Sequence, residues 1–123
     1  MLGKKILVVD DSASIRQLAS FALKQAGFET AEAVDGNDAL TLAKSQQFDL
    51  VLTDRNMPNM DGIELTKSLR ADSNYKFTPI LMLTTESEGE KKQEGKAAGV
   101  TGWIVKPFNP DTLVKTMNKV LAR

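Results

Sequence analysis

The chain contains no cysteine and no histidine. That double absence excludes a disulfide framework, thiol catalysis, Cys/His zinc sites and every catalytic triad built on an imidazole. An excess of either charge is missing too. The 16 Lys plus Arg balance 16 Asp plus Glu, whereas general binders of nucleic acid or anionic membrane carry a basic surplus. The amino-terminal apolar stretch runs only from Ile6 to Val9 before Asp10 stops it. That is too short for a signal-peptide core or a membrane span, so a soluble cytoplasmic protein is expected. What remains is ordinary for a globular chain: 41% apolar residues in 123, enough to enclose a core and about the size of one domain.

Short apolar runs alternate with longer amphipathic stretches. Lys5 to Val9 is continuous and β-branched, the pattern of a strand buried on both faces. Ser14 to Ala26 carries Ile15, Leu18, Ala19 and Ala22 at helical spacing, and Gly27 closes it. Phe28 to Val34 predicts a weaker second strand, Asp35-Gly36 a turn, and Asn37 to Ser45 a helix with Leu40 and Ala43 inward. Phe48 to Thr53 is a third strand ending at Asp54; the loop from Met57 to Gly62 precedes a helix carrying Leu65 and Leu69. Pro79 to Thr84 and Gly102 to Val105 supply the last two strands. Asn109, Pro110 and Asp111 spell a helix start, and that helix is expected to bury Leu113, Val114, Met117, Val120 and Leu121. Glu90 to Ala98 predicts a loosely held helix, because only Ala97 and Ala98 are there to bury. Alternation of this kind implies a doubly wound α/β fold, a five-stranded parallel sheet covered by five helices.

In open α/β sheets, ligands bind beyond the carboxyl ends of the strands. Here those ends carry Asp10-Asp11, Asp54, Thr84 and Lys106. Paired acids after a strand often serve only as helix caps or solvated turns, and Asp54 alone could cap the next segment. The joint arrangement argues otherwise, since each polar group follows an apolar run at its strand end. Carboxylates brought together repel unless a cation intervenes, and an all-oxygen donor set favours Mg²⁺ over zinc or copper. A nucleotide-binding P-loop is absent from the sequence. A phosphate loop after the first strand would set its anion against Asp10 and Asp11.

A carboxylate is ionised at neutral pH and needs no base to attack a phosphoryl group. It needs its charge offset, which Mg²⁺ and the Lys106 ammonium can do, with the Thr84 hydroxyl as an oriented donor. The product would be an aspartyl phosphate. Because the chain has no histidine, any phosphohistidine donor belongs to a partner.

Val9-Asp10-Asp11-Ser12, Asp54-x-Asn56-Met57-Pro58-x-Met60-Asp61-Gly62, Leu83-Thr84 and Lys106-Pro107-Phe108 together resemble the receiver domain of response regulators. The resemblance runs through the whole chain. The run from Asn56 to Leu65, with Leu69-Arg70-Ala71-Asp72, is most similar to CheY-like single-domain chemotaxis members. The resemblance implies a flavodoxin-like sheet of strand order 2-1-3-4-5 and a single receiver domain over residues 1–123 with no output domain. It implies Asp54 as phosphoacceptor, and Mg²⁺ held by Asp11, Asp54 and the backbone carbonyl of Asn56, with Asp10 acting through water. Lys106 would contact the phosphoryl group, next to a cis bond to Pro107. Thr84 and Trp103 would act as the switch, and Asn56, Thr85 and Glu86 would tune dephosphorylation. The implied partners are a chemotaxis-type histidine kinase, an output target such as the flagellar motor switch, and a phosphatase. A monomer is expected, touching neither nucleic acid nor membrane and turning over no metabolite.

Three positions qualify the pattern. Trp103 stands where Tyr or Phe is commoner, and reads alternatively as an ordinary semi-buried core aromatic. Thr85 stands where a small residue is usual. Arg55, beside the acceptor, is expected to be solvated. Two other functions compete: a phosphorelay shuttle, and a Mg²⁺-dependent phosphatase with an aspartyl intermediate. The phosphatase is the weaker, because such enzymes place a second acid two residues after the nucleophile, where this chain has Asn56.

Overall fold

The computed structural model describes residues 3–85 and 96–122. Strand β1 (Lys5–Val9) leads to α1 (Ala13–Gln25), β2 (Glu29–Ala33) to α2 (Gly36–Ser45), and β3 (Leu50–Asp54) to α3 (Gly62–Arg70). A 3₁₀ turn, Ser73–Tyr75, precedes β4 (Ile80–Thr84). Residues 96–98 are helical and are labelled α4. Strand β5 (Gly102–Val105) and α5 (Pro110–Leu121) complete the chain. The expected 2-1-3-4-5 sheet is observed, in the order β2-β1-β3-β4-β5, with every neighbouring pair parallel.

The continuous apolar strands are explained by two cores, one on each sheet face. Ile6, Val8, Leu50, Leu52, Leu81 and Leu83 point to the side covered by α1 and α5, where Leu23, Leu113 and Met117 meet them. Their alternates Leu7, Val9, Val51 and Ile80 face α2 and α3, packing on Ala39, Leu65 and Leu69. Successive strand side chains point to opposite faces, so a sheet sandwiched between helix layers needs apolar residues at every position.

Helix starts are capped by side chains close to the site. Ser12 accepts from the Ile15 amide, Asp35 from that of Asp38, and Asp61 forms a reciprocal capping box with Glu64. Asn109 caps α5, followed by Pro110, as the sequence predicts.

Several expectations are corrected. Helix α1 begins at Ala13 because Ser12 is its cap, and β3 runs from Leu50 through Asp54. Leu18 is 43% exposed and Val114 only half-buried. Both line an open groove between α1 and α5 with Phe21, because the inward stripe of each helix is narrower than its apolar content. Ala98 is buried but Ala97 is exposed, since it lies on the outer side of α4. The rest of the expected loose helix, from Glu90, falls outside the described residues.

Candidate functional site

The carboxyl ends of β1, β3, β4 and β5 bring the predicted polar groups together. Asp54 is the last residue of β3 and Thr84 the last of β4, while Asp10 follows β1 and Lys106 follows β5. Carboxylate oxygens of Asp10, Asp11 and Asp54 lie within 4.8 Å of one another. Asp10 and Asp54 are buried and Asp11 is exposed, so the group opens to solvent on one side. The Lys106 ammonium reaches both buried acids, 2.9 Å from Asp54 Oδ1 and 3.3 Å from Asp10 Oδ2.

Local backbone bonding fixes these side chains. The Asp10 amide donates to the Ala33 carbonyl at 3.1 Å, and Asp10 Oδ1 accepts from the Ser12 amide at 2.9 Å. The Lys106 amide donates to Thr84 O at 2.6 Å, so the lysine leaves the sheet still tied to β4. The bond from Lys106 to Pro107 is cis, as the resemblance implies. Phe108, next in sequence, is buried in the α1/α5 core.

The charges respond as a crowded, partly buried cluster should. Burial, reinforced by the Asp10 charge, pushes the Asp54 carboxyl above its ordinary range despite the opposing Lys106 bond. For Lys106, burial alone would lower the value. The hydrogen bond to Asp54 and the charges of Asp54 and Asp10 outweigh it and hold the ammonium higher than usual. The lysine is therefore a fixed cation. Three carboxylates against one ammonium leave negative charge in excess, and the donors are all hard oxygens, so the residues fit a divalent cation such as Mg²⁺.

The loop after β3 comes close to this group. Gly62 packs on the Asp54–Arg55 backbone so tightly that an added Cβ would collide with the Asp54 carbonyl. Asn59 adopts a left-handed backbone, φ 70°, which its short polar side chain tolerates. Its amide donates to Asp35 Oδ2 at 2.8 Å, tying this loop to the start of α2. Asn56 sits on the loop's exposed surface, beside the acceptor.

Thr84 is buried, and its hydroxyl donates to the Thr85 carbonyl at 2.8 Å; Thr85 itself is exposed. Trp103 is half-buried and packs against Ile63, Met82, Ala98 and Val100, about as a semi-buried core aromatic would. Glu86 lies outside the described residues. The expectation of a solvated Arg55 is overturned: the residue is only 8% exposed. Its amide continues the ladder to Leu83 O, and its carbonyl accepts from Gly62, so the returning loop covers it. Its Nη1 lies 3.3 Å from Asn56 Oδ1.

Two contributions escaped sequence reasoning. The Asn59–Asp35 tie spans 24 positions, and only the tolerance of asparagine for left-handed turns hinted at it. Arg16 donates to the Asp10 carbonyl at 2.7 Å; nothing in the helical pattern of α1 marked it.

Comparison with known proteins agrees with this fold. Residues 6–118 match the model of the response regulator receiver domain family. The chain is 46% identical over 120 residues to the chemotaxis protein CheY-3 of Vibrio cholerae, covering 97% of this chain and 92% of that one. Identity to the chemotaxis protein CheY of Pseudomonas aeruginosa is 42%, covering 97% of each. Among solved structures, Vibrio cholerae CheY4 superposes with a TM-score of 0.92 at 58% identity, covering 96% of this chain and 98% of that one.

Proposed function

We propose, from the premise that the chain belongs to the response regulator receiver family, that it is a chemotaxis switch phosphorylated on Asp54. The observation that carries the reading is the Lys106 ammonium bridging Asp54 and Asp10, with Asp11 completing a carboxylate group open to solvent. Asp11, Asp54 and the Asn56 carbonyl would hold Mg²⁺, with Asp10 acting through water. When bound, that ion offsets the charge of the incoming phosphoryl group.

An Asp54 carboxylate oxygen attacks phosphorus, and the bond to the donor's leaving group breaks with its electron pair leaving on the donor. Lys106 stays charged and follows the phosphoryl oxygens. The Thr84 hydroxyl can exchange the neutral Thr85 carbonyl for a charged phosphoryl oxygen, a stronger acceptor. Trp103, the single tryptophan, adjoins Ala98 and Val100 and would carry that movement to the face of α4, β5 and α5. Asn56, Thr85 and Glu86 would set how long the phosphoryl group lasts.

The chemotaxis names of the relatives support a histidine kinase as donor and a flagellar motor protein as output target. No described helix is long and apolar enough to cross a membrane.

Intact-protein mass after incubation with Mg²⁺ and acetyl phosphate tests the chemistry. Wild type should gain one phosphoryl group, and chelator or Asp54→Asn should abolish the gain. Absence of any gain under rapid quench would sink the reading. Binding of a motor-protein peptide only after phosphorylation would separate the switch from a shuttle that passes the group onward.

A further inference from the structure

We propose that Arg16 and Glu32 are positioning residues for the cation site, holding the Asp10–Asp11 turn in place without adding net charge. The inference rests on the Mg²⁺ reading above.

Asp10, Asp11 and Asp54 set carboxylate oxygens within 4.8 Å of one another, and such groups repel. Lys106 offsets the two buried acids, but Asp11 lies on the exposed side, at a turn that repulsion would swing outward. Something must grip the main chain there. The Asp10 amide is held by the Ala33 carbonyl at 3.1 Å, and the Asp10 carbonyl by Arg16 Nη1 at 2.7 Å. The peptide before Asp10 is thus held from β2, and the peptide leading into Asp11 from α1 by Arg16. A charge-assisted bond of this length is among the stronger kinds.

A bare guanidinium so close would also repel the incoming ion. Glu32, on β2 opposite Val8, meets Arg16 Nε at 3.2 Å and cancels that charge. The planar fork of arginine suits both tasks, one nitrogen for the carbonyl and another for the carboxylate. An ordinary surface ion pair would staple α1 to β2 and do little else. This one ends on the backbone of a residue in the metal group, and its arginine side chain is only 16% exposed.

Isothermal titration with Mg²⁺, at low and high salt, tests the proposal on wild type, Arg16→Ala, Arg16→Lys and Glu32→Gln. Thermal melting of each variant confirms its fold. Arg16→Ala should bind about tenfold more weakly, the scale for losing an outer partner of a metal ligand, and Arg16→Lys should recover part of the loss. Glu32→Gln keeps an acceptor for Arg16 but unmasks its charge, so its loss should be clear at low salt and fade at high salt. The Arg16→Ala loss should persist at high salt, and if that variant does not fold, Arg16→Lys and Glu32→Gln decide. Variant affinities within twofold of wild type at low salt would overturn this inference alone. No Mg²⁺ uptake by wild type would overturn the cation reading and this inference with it.

Discussion

At the corner where α3 meets the start of β4, the Arg70 guanidinium donates to the carbonyls of Tyr75 at 2.8 Å, Thr78 at 2.6 Å and Gly99 at 2.8 Å. Tyr75, fully buried, shares its hydroxyl proton between the carbonyls of Ala43 at 2.7 Å and Gln46 at 2.8 Å. At the other end of the sheet, Asp10, Asp11 and Asp54 crowd together with one ammonium among them. Both regions bury polar groups. In the corner every partner is a neutral main-chain group, and the bonds from Arg70 to Gly99 and from Tyr75 to Ala43 and Gln46 join elements distant in sequence, so the network stabilises the fold. At the acidic end like charges are held near one another, which costs stability and leaves capacity for a ligand.

The largest effect is expected at Arg70. Arg70→Met keeps the stem but strands the carbonyls it serves, and should cost about 3 kcal/mol in urea denaturation. Its Mg²⁺ affinity should stay within twofold of wild type, and a larger change would show that corner and site are coupled. Tyr75→Phe removes one hydroxyl and should cost about 1–2 kcal/mol by the same assay. At the acidic end the sign reverses. Asp54→Asn relieves repulsion and the burial of a charge, so metal-free stability should rise by about 1 kcal/mol. A loss instead would mean that the Lys106–Asp54 bond outweighs the crowding.

The smallest effect is a pH dependence. Burial pushes the Tyr75 hydroxyl above its ordinary value, with the Phe48 amide bond opposing and the Asp72 charge adding. The folded state therefore holds that proton more tightly than the unfolded chain. Its contribution is complete below pH about 10 and is lost as pH rises through the raised folded value. Unfolding measured across alkaline pH should show a steeper decline in wild type than in Tyr75→Phe, in which the part due to the raised Lys106 ammonium remains.

Much of this was readable along the chain. Continuous apolar runs announced a sheet covered on both faces, and Asp10, Asp54, Thr84 and Lys106 fell at strand ends because each directly follows such a run. Burial of individual helix residues was less legible. Leu18, Phe21 and Val114 look like core by composition, yet Leu18 and Phe21 are 43% and 66% exposed, because the angle at which α1 and α5 meet decides which residues reach the sheet. Arg55 failed in the opposite direction: a charged residue in a loop reads as solvated, and the covering loop that buries it returns only at Gly62.

By itself the sequence determined the kind of chemistry available: oxygen ligands and a lysine, with no imidazole or thiol. It also determined the strand–helix alternation that carries those groups to one end of a sheet. These follow from residue identity and local periodicity, which act over a few positions. Only the tertiary structure decided that Lys106 touches both Asp54 and Asp10, that Arg16 grips the Asp10 carbonyl, that Asn59 reaches Asp35, and that Arg70 closes the far corner. Each of those contacts joins separate elements, and their geometry is set by strand order, register and helix packing, which no local window of sequence contains.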